Sequence, residues 1–226
     1  MFVAFPKKAP SVNNRKAKLL AESIVQNPIL QRIPVIPESG SIINNCFYNV
    51  SNKIAEDGGE IVYGWKIWDR QEFWEAEFHS VWRKDEKLLD ITPQYVDEIL
   101  FFEDESITFE GFPVDNIRMN FTGNPVIEDY IKVLEIKYMI ENYGENRFLH
   151  NALESTILEI PESLVEILQI IENRTIPELS AFIKSGKNQQ SRCFCGRDLP
   201  YYSCHSEDIK RTYEKILDAF NKSIKQ

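Results

Sequence analysis

The tightest constraint on this chain lies near its end, in "SRCFCGRDLPYYSCHSED", residues 191–208. The stretch holds three of the four cysteines and one of the three histidines, spaced Cys193-x-Cys195-x8-Cys204-His205. Thiolates repel one another, so crowding them is costly without a cation. Three thiols and an imidazole make a closed tetrahedral donor set of the kind zinc takes. With every ligand place filled by protein, the expectation is one structural zinc per chain, with no open position for catalysis. A segment this short has almost no core, so metal binding would supply most of its folding free energy. Cys46 is left outside this set.

Composition narrows the rest. The 226 residues are 43% hydrophobic and 27% charged, which suits a globular protein with a real core. No apolar run approaches 18 residues, and the apolar start precedes its charges, unlike a signal peptide; the expected location is the cytoplasm. There, four cysteines point to metal binding or catalysis more than to disulfides. The net charge of −9 is uneven. Residues 1–20 carry five basic side chains and no acid, residues 183–226 carry nine basic and five acidic, and the middle holds the remaining 12 basic and 30 acidic. An acidic body speaks against general DNA binding, while the basic tail suits RNA or an acidic partner. No membrane partner is expected.

The periodicities predict an α+β chain. Residues 14–26 read as an amphipathic helix carrying Leu19, Leu20, Ile24 and Val25 on one side. "CFYNVSNKIAED" (46–57) reads as a second helix, capped by Asn45 and stopped at Gly58-Gly59. "EIVYGWKIW" (60–68), "EAEFHSVW" (75–82) and "KLLDIT" (87–92) read as strands, with one or two more in 96–121, for example "SITFEGF". From Asn124 the pattern turns helical. Pro125, Pro161 and Pro177 mark three helix starts, and Gly144 follows the first helix. "GKNQQSR" is a polar linker, and a final helix runs from about Ser206 to Ile224. The expected domains are 1–123, α+β; 124–185, helical; and 191–226, the zinc module with its terminal helix.

The odd cysteine opens the helix at 46. Unpaired N–H groups and the positive end of the helix dipole stabilise a thiolate there, and a thiolate is a competent nucleophile. Its base is sought among His79 and His150. A two-residue turn at Asp85-Glu86, or a four-residue turn over 84–87, makes opposed residues of the hairpin sum to 171. Asp90 then faces Val81 and lies diagonally beside His79 on one face, close enough to orient the imidazole. A turn of odd length would put Asp90 on the other face. Glu77 shares that face and is read as a structural or substrate-side carboxylate. Trp65, Trp68, Trp74 and Trp82 are read as core and rim packing, with Trp82 in the core. His150 is read as an ordinary surface or packing residue.

Two resemblances rest on these residues. The cysteine run resembles the SEC-C motif, C-x-C-x8-C-[HC], with Gly196 after the second cysteine and Tyr201 at the aromatic place. The basic interior of that motif is weakened here to "GRDLPYY". The resemblance implies zinc on Cys193, Cys195, Cys204 and His205, and a tag that docks on a protein partner such as a chaperone, or on the ribosome. Residues 40–95 resemble the transglutaminase-like branch of the papain-like fold. Cys46 opens a helix, "GGEIVYGW" follows, then His79-Ser80-Val81-Trp82 and Asp90-Ile91-Thr92-Pro93. The tryptophan stands one place late, and no glutamine sits about six residues before Cys46 to complete a papain-type oxyanion hole. That resemblance implies a helix packed on an antiparallel sheet and a Cys46–His79–Asp90 triad. The activity would be a cysteine peptidase, deamidase or acyltransferase on a protein or peptide substrate. The alternative is a non-catalytic zinc-binding adaptor that docks through its tail.

Overall fold

The computed structural model describes residues 9–145 and 160–224. They fall into two compact units, one holding 9–110 and 114–121, the other 111–113, 122–145 and 160–224. The fold is mixed α+β.

The first unit is built on an antiparallel sheet that curls nearly closed. Its strands are β1 (Gln31–Pro34), β2 (Glu60–Asp69), β3 (Trp74–Lys84), β4 (Lys87–Leu89), β5 (Glu98–Glu103) and β6 (Ile117–Met119). The order is β1-β5-β2-β3-β4, with β6 also on β3. Beyond β4 the chain turns back to β1: Asp90 bridges Val35, Ile36 N–H donates to the Asp90 carbonyl (2.9 Å), and Asp90 N–H donates to that of Pro34 (3.1 Å). The hairpin register follows from its turn. Trp82 pairs Leu89 and Lys84 pairs Lys87, so opposed residues sum to 171 as expected. Asp85 and Glu86 between them adopt φ of 50° and 61°, the twist a two-residue hairpin loop needs.

Alternation along β2 and β3 makes two apolar layers. Ile33, Val62, Trp68, Val81, Ile99 and Phe101 form an inner cluster supplied by strands alone. Trp65, Ile67, Ala76, Phe78, Leu100 and Phe102 face outward and are covered by helix α1 (Arg15–Glu22). Phe47 of helix α2 (Cys46–Asp57) packs on the same outer layer, 5.0 Å from Phe78 and stacked on Phe109 at 4.0 Å. Gly64 must be glycine, because a Cβ there would overlap the Phe102 carbonyl and lie 2.6 Å from Phe101 Cζ.

Several expectations are corrected. Helix α1 stops at Glu22 rather than 26, where the Ser23 hydroxyl bonds the Leu20 carbonyl (2.6 Å). Its buried stripe is Ala17, Leu20 and Ala21, and Leu19 is exposed. "SITFEGF" is not a strand; Ile107 and Phe109 instead pack against the outer layer as loop residues. The third strand ends at Leu89, short of Thr92. Trp82 is not core but half-buried: its indole N–H donates to the Gly58 carbonyl (2.9 Å), with Lys53 and Lys84 over the ring. Trp65, Trp68 and Trp74 are buried.

The second unit is helical. Helix α3 (Pro125–Glu141) starts at an Asn124 cap and Pro125. Helices α4 (Glu162–Ile170) and α5 (Ile176–Lys184) are joined without a break by a π-turn over Ile171–Thr175. The sequence reads two separate helices here. Pro177 has no N–H to give to the helix ladder, and the wider turn before it absorbs the misfit. Helix α6 (His205–Ser223) begins one residue earlier than expected. His150 lies outside the described residues.

Candidate functional site

The β3 edge facing away from β2 has a gap. β6 covers residues 74–76 and β4 covers residues 82–84, so the stretch between meets no strand on that side. The N-terminus of α2 sits against this gap. Its first residue, Cys46, is buried, and the backbone N–H of Ser80 on β3 is among the groups that favour negative charge on its sulfur. Asn44 turns the chain into the helix with φ of 63°, and Asn45 makes no side-chain cap. The N–H groups of the first turn therefore point toward the sulfur's end of the helix, where they favour negative charge.

His79 and Asp90 meet as the hairpin register requires. His79 Nε2 lies 3.0 Å from Asp90 Oδ2, with both residues buried. The carboxylate is held in turn: its Oδ1 accepts Thr92 N–H at 3.0 Å. The Thr92 hydroxyl accepts Asn49 Nδ2 at 3.0 Å, and the Asn49 amide also exchanges bonds with Ile42 N–H and C=O (3.0 and 2.8 Å). This buried polar chain ties helix α2 to the Asp90 loop, so cysteine and carboxylate are positioned by one network. With Nε2 taken by Asp90, Nδ1 is the ring nitrogen left free of the carboxylate, and the imidazole acts electrostatically on the Cys46 thiol.

The electrostatics favour an ion pair. Burial opposes the Cys46 thiolate, but the charge and hydrogen bond of His79, the charge of Lys66 and the Ser80 N–H together hold the thiol below its ordinary value. Burial and Lys66 push His79 down, while Asp90 and Cys46 push it up further, to about 9. Both shifts run toward the thiolate–imidazolium form of the pair, the form in which a cysteine is nucleophilic. Glu77 is structural: it accepts Trp68 Nε1 (2.8 Å) and pairs with Lys66 Nζ (3.2 Å). Asn49 and Lys66 are not legible as site residues from their local sequence. The one signal is parity, since Lys66 stands on β2 between Val62 and Trp68 of the inner layer.

The C-terminal cluster forms in the second unit. The donor atoms of Cys193, Cys195, Cys204 and His205 all lie within 4.8 Å of one another and could hold a metal ion. Cys193 Sγ is 3.1 Å from His205 Nδ1, Cys204 Sγ is 3.4 Å from it, and Cys195 Sγ is 3.6 Å from Cys204 Sγ. A tetrahedron with metal–sulfur bonds of about 2.3 Å has edges of about 3.8 Å, so the donors sit near metal-binding separations. A minimal hairpin presents them: Arg192 bridges Pro200, and Cys193 N–H donates to Leu199 C=O (2.9 Å). Tyr201 is fully buried against Phe182 and Phe194, and Phe194 covers the His205 ring at 4.4 Å. Burial, then Cys193 and Cys195, push the Cys204 thiol up to about 12, while Arg197 draws Cys195 down to about 7. A cation would relieve that conflict by binding the thiolates.

Comparison of the chain with protein-family models, curated proteins and solved structures finds no match. Among the described residues, no helix is long and apolar enough to cross a membrane.

Proposed function

We propose that this chain is a cysteine-dependent hydrolase or acyltransferase with a papain/transglutaminase-like core and a structural zinc module. The observation that carries this reading is the buried Cys46–His79–Asp90 set, with the imidazole at 3.0 Å from the carboxylate and the thiol at a helix start. In the proposed reaction the Cys46 thiolate adds to the carbonyl carbon of an amide. The Cys46 N–H, with the side chain of Asn44 or Asn45, stabilises the oxyanion. His79 gives its proton to the departing amine as the C–N bond breaks, leaving a thioester. Water or an amine, deprotonated by His79, then displaces the thiolate. Asp90 fixes the imidazole tautomer throughout. Peptide cleavage, glutamine deamidation and acyl transfer share these steps, and the substrate class is a protein or peptide amide.

In the same reading Cys193, Cys195, Cys204 and His205 hold one zinc ion. The ion's role is to fold the module, which docks on a protein or ribosomal partner. The full chain, incubated with p-nitrophenyl acetate, tests the chemistry. An acetyl thioester on Cys46, released by hydroxylamine and lost in His79→Ala, is the expected result. Absence of any Cys46 adduct in the folded protein overturns the hydrolase reading and leaves the zinc-binding adaptor.

A further inference from the structure

Lys66 is a lysine where a lysine is costly. It stands on the inner face of β2 and is buried. Strand register puts Gly64 opposite His79 and Lys66 opposite Glu77, so Lys66 is the diagonal neighbour of His79 across the β2–β3 ladder. A diagonal pair of this kind is within reach of long side chains. Its ammonium is fixed by Glu77 Oε1 at 3.2 Å and Gln94 Oε1 at 3.5 Å, and lies 5.7 Å from the Trp68 ring. Burying an ammonium is unfavourable unless it is paired, and a hydrophobic residue would pack among Val62, Trp68 and Phe101 without that cost. The neighbours that act on the thiol by charge are His79 and Lys66, and those that act on the imidazole are Lys66, Asp90 and Cys46.

We infer that Lys66 is a positioning residue of this site: diagonal to His79 and anchored by Glu77 and Gln94, its ammonium sets a fixed positive charge beside the Cys46–His79 pair. This rests on the reading of Cys46 and His79 as a reactive pair. It goes beyond that reading by adding a charged residue outside the triad. Lys66 acts through the thiol and makes no bond to the reacting atoms.

The sign of its effect separates it from a packing role. A fixed cation lowers the titration of both neighbours, so removing it moves both Cys46 and His79 upward. Mere loosening of the site would instead return each group toward its ordinary value, Cys46 up to about 8.5 and His79 down to about 6.5. The test uses the full chain. Cys46 is followed by iodoacetamide alkylation across pH, with the label mapped by mass spectrometry. His79 is followed by NMR of 13C-labelled histidine, assigned with His79→Ala. In Lys66→Met both midpoints are expected to rise by about one pH unit, a roughly tenfold loss of alkylation rate below the wild-type midpoint. Lys66→Arg restores both. Glu77→Gln, which keeps an acceptor for Trp68, shifts Cys46 the opposite way and serves if Lys66→Met does not fold. Unchanged midpoints in Lys66→Met, or a rise in Cys46 with a fall in His79, overturn the inference. If only Glu77→Gln folds, an unmoved Cys46 midpoint does the same. A wild-type Cys46 that titrates near 8.5 and ignores His79→Ala sinks the reactive-pair reading instead, whatever Lys66 does.

Discussion

Replacing Asp90 with asparagine removes one charge from the centre of the site and almost no volume. Two opposite charges about 4 Å apart at an effective dielectric of about 20 interact by about 4 kcal/mol, equivalent to about three pH units. His79 stands at about 9 because Asp90 and Cys46 outweigh burial and Lys66. Without the carboxylate charge, burial and Lys66 win, and His79 should fall to about 6. The hydrogen bonds shift as well. Thr92 N–H requires an acceptor, which in asparagine is Oδ1. The amide Nδ2 then faces His79 Nε2 and donates, forcing the neutral ring to carry its proton on Nδ1, the side left for Cys46. Both effects dissolve the thiolate–imidazolium pair. Iodoacetamide labelling of Cys46 at about pH 7 is expected to slow roughly ten- to a hundredfold. Stability follows from linkage. A histidine raised by its partner contributes stability fully present below its unfolded value of about 6.5 and lost as pH rises through about 9. The deficit of Asp90→Asn in urea melts should therefore be largest below about pH 6.5 and shrink toward pH 9. Wild-type labelling at about pH 7 in a folded Asp90→Asn protein, or a stability deficit that does not change with pH, would refute this reasoning.

The other predictions concern the scaffold and the metal. Gly64→Ala forces a methyl into the Phe102 carbonyl and Phe101 ring and is expected to cost about 1–3 kcal/mol or more in urea denaturation; a neutral result would contradict the packing described. Asn49→Ala leaves the Thr92 hydroxyl and both Ile42 backbone groups without their partner. A loss of about 1–3 kcal/mol is expected, together with slower Cys46 labelling because helix α2 is no longer tied to the Asp90 loop. Elemental analysis is expected to find one zinc per chain in the wild type and none in the double variant Cys193→Ser, Cys195→Ser; a variant that keeps the metal sinks the cluster as its site.

Much of this site was legible because it rests on short-range rules. The register of β3 and β4 follows from a two-residue turn, and that parity alone brings Asp90 to His79. The end of α2 follows from Gly58, whose N–H closes on the Ile54 carbonyl, whereas the expected side-chain cap from Asn45 does not form. The donor spacing 193–205 likewise announces its own cluster. What was not legible depends on partners far apart in sequence. Nothing near "SITFEGF" says that Phe109 will stack on Phe47, 62 residues earlier, instead of joining the sheet. The retreat of Trp82 from the core depends on its bond to Gly58, across the β2–β3 hairpin. Lys66 reads as an ordinary charged residue in a strand until the curl of the sheet closes both of its faces. The π-turn before Pro177 joins two helix patterns that the sequence presents as separate.

Direct ultraviolet titration of the thiolate tests the central claim. The difference in absorbance near 240 nm between the wild-type chain and Cys46→Ala, followed across pH, reports the ionisation of this one sulfur. A step below the ordinary thiol value of about 8.5 that moves up in His79→Ala is the expected result. A single step at or above about 8.5, unaffected by His79→Ala, would show that Cys46 is an inert buried thiol and would contradict the account.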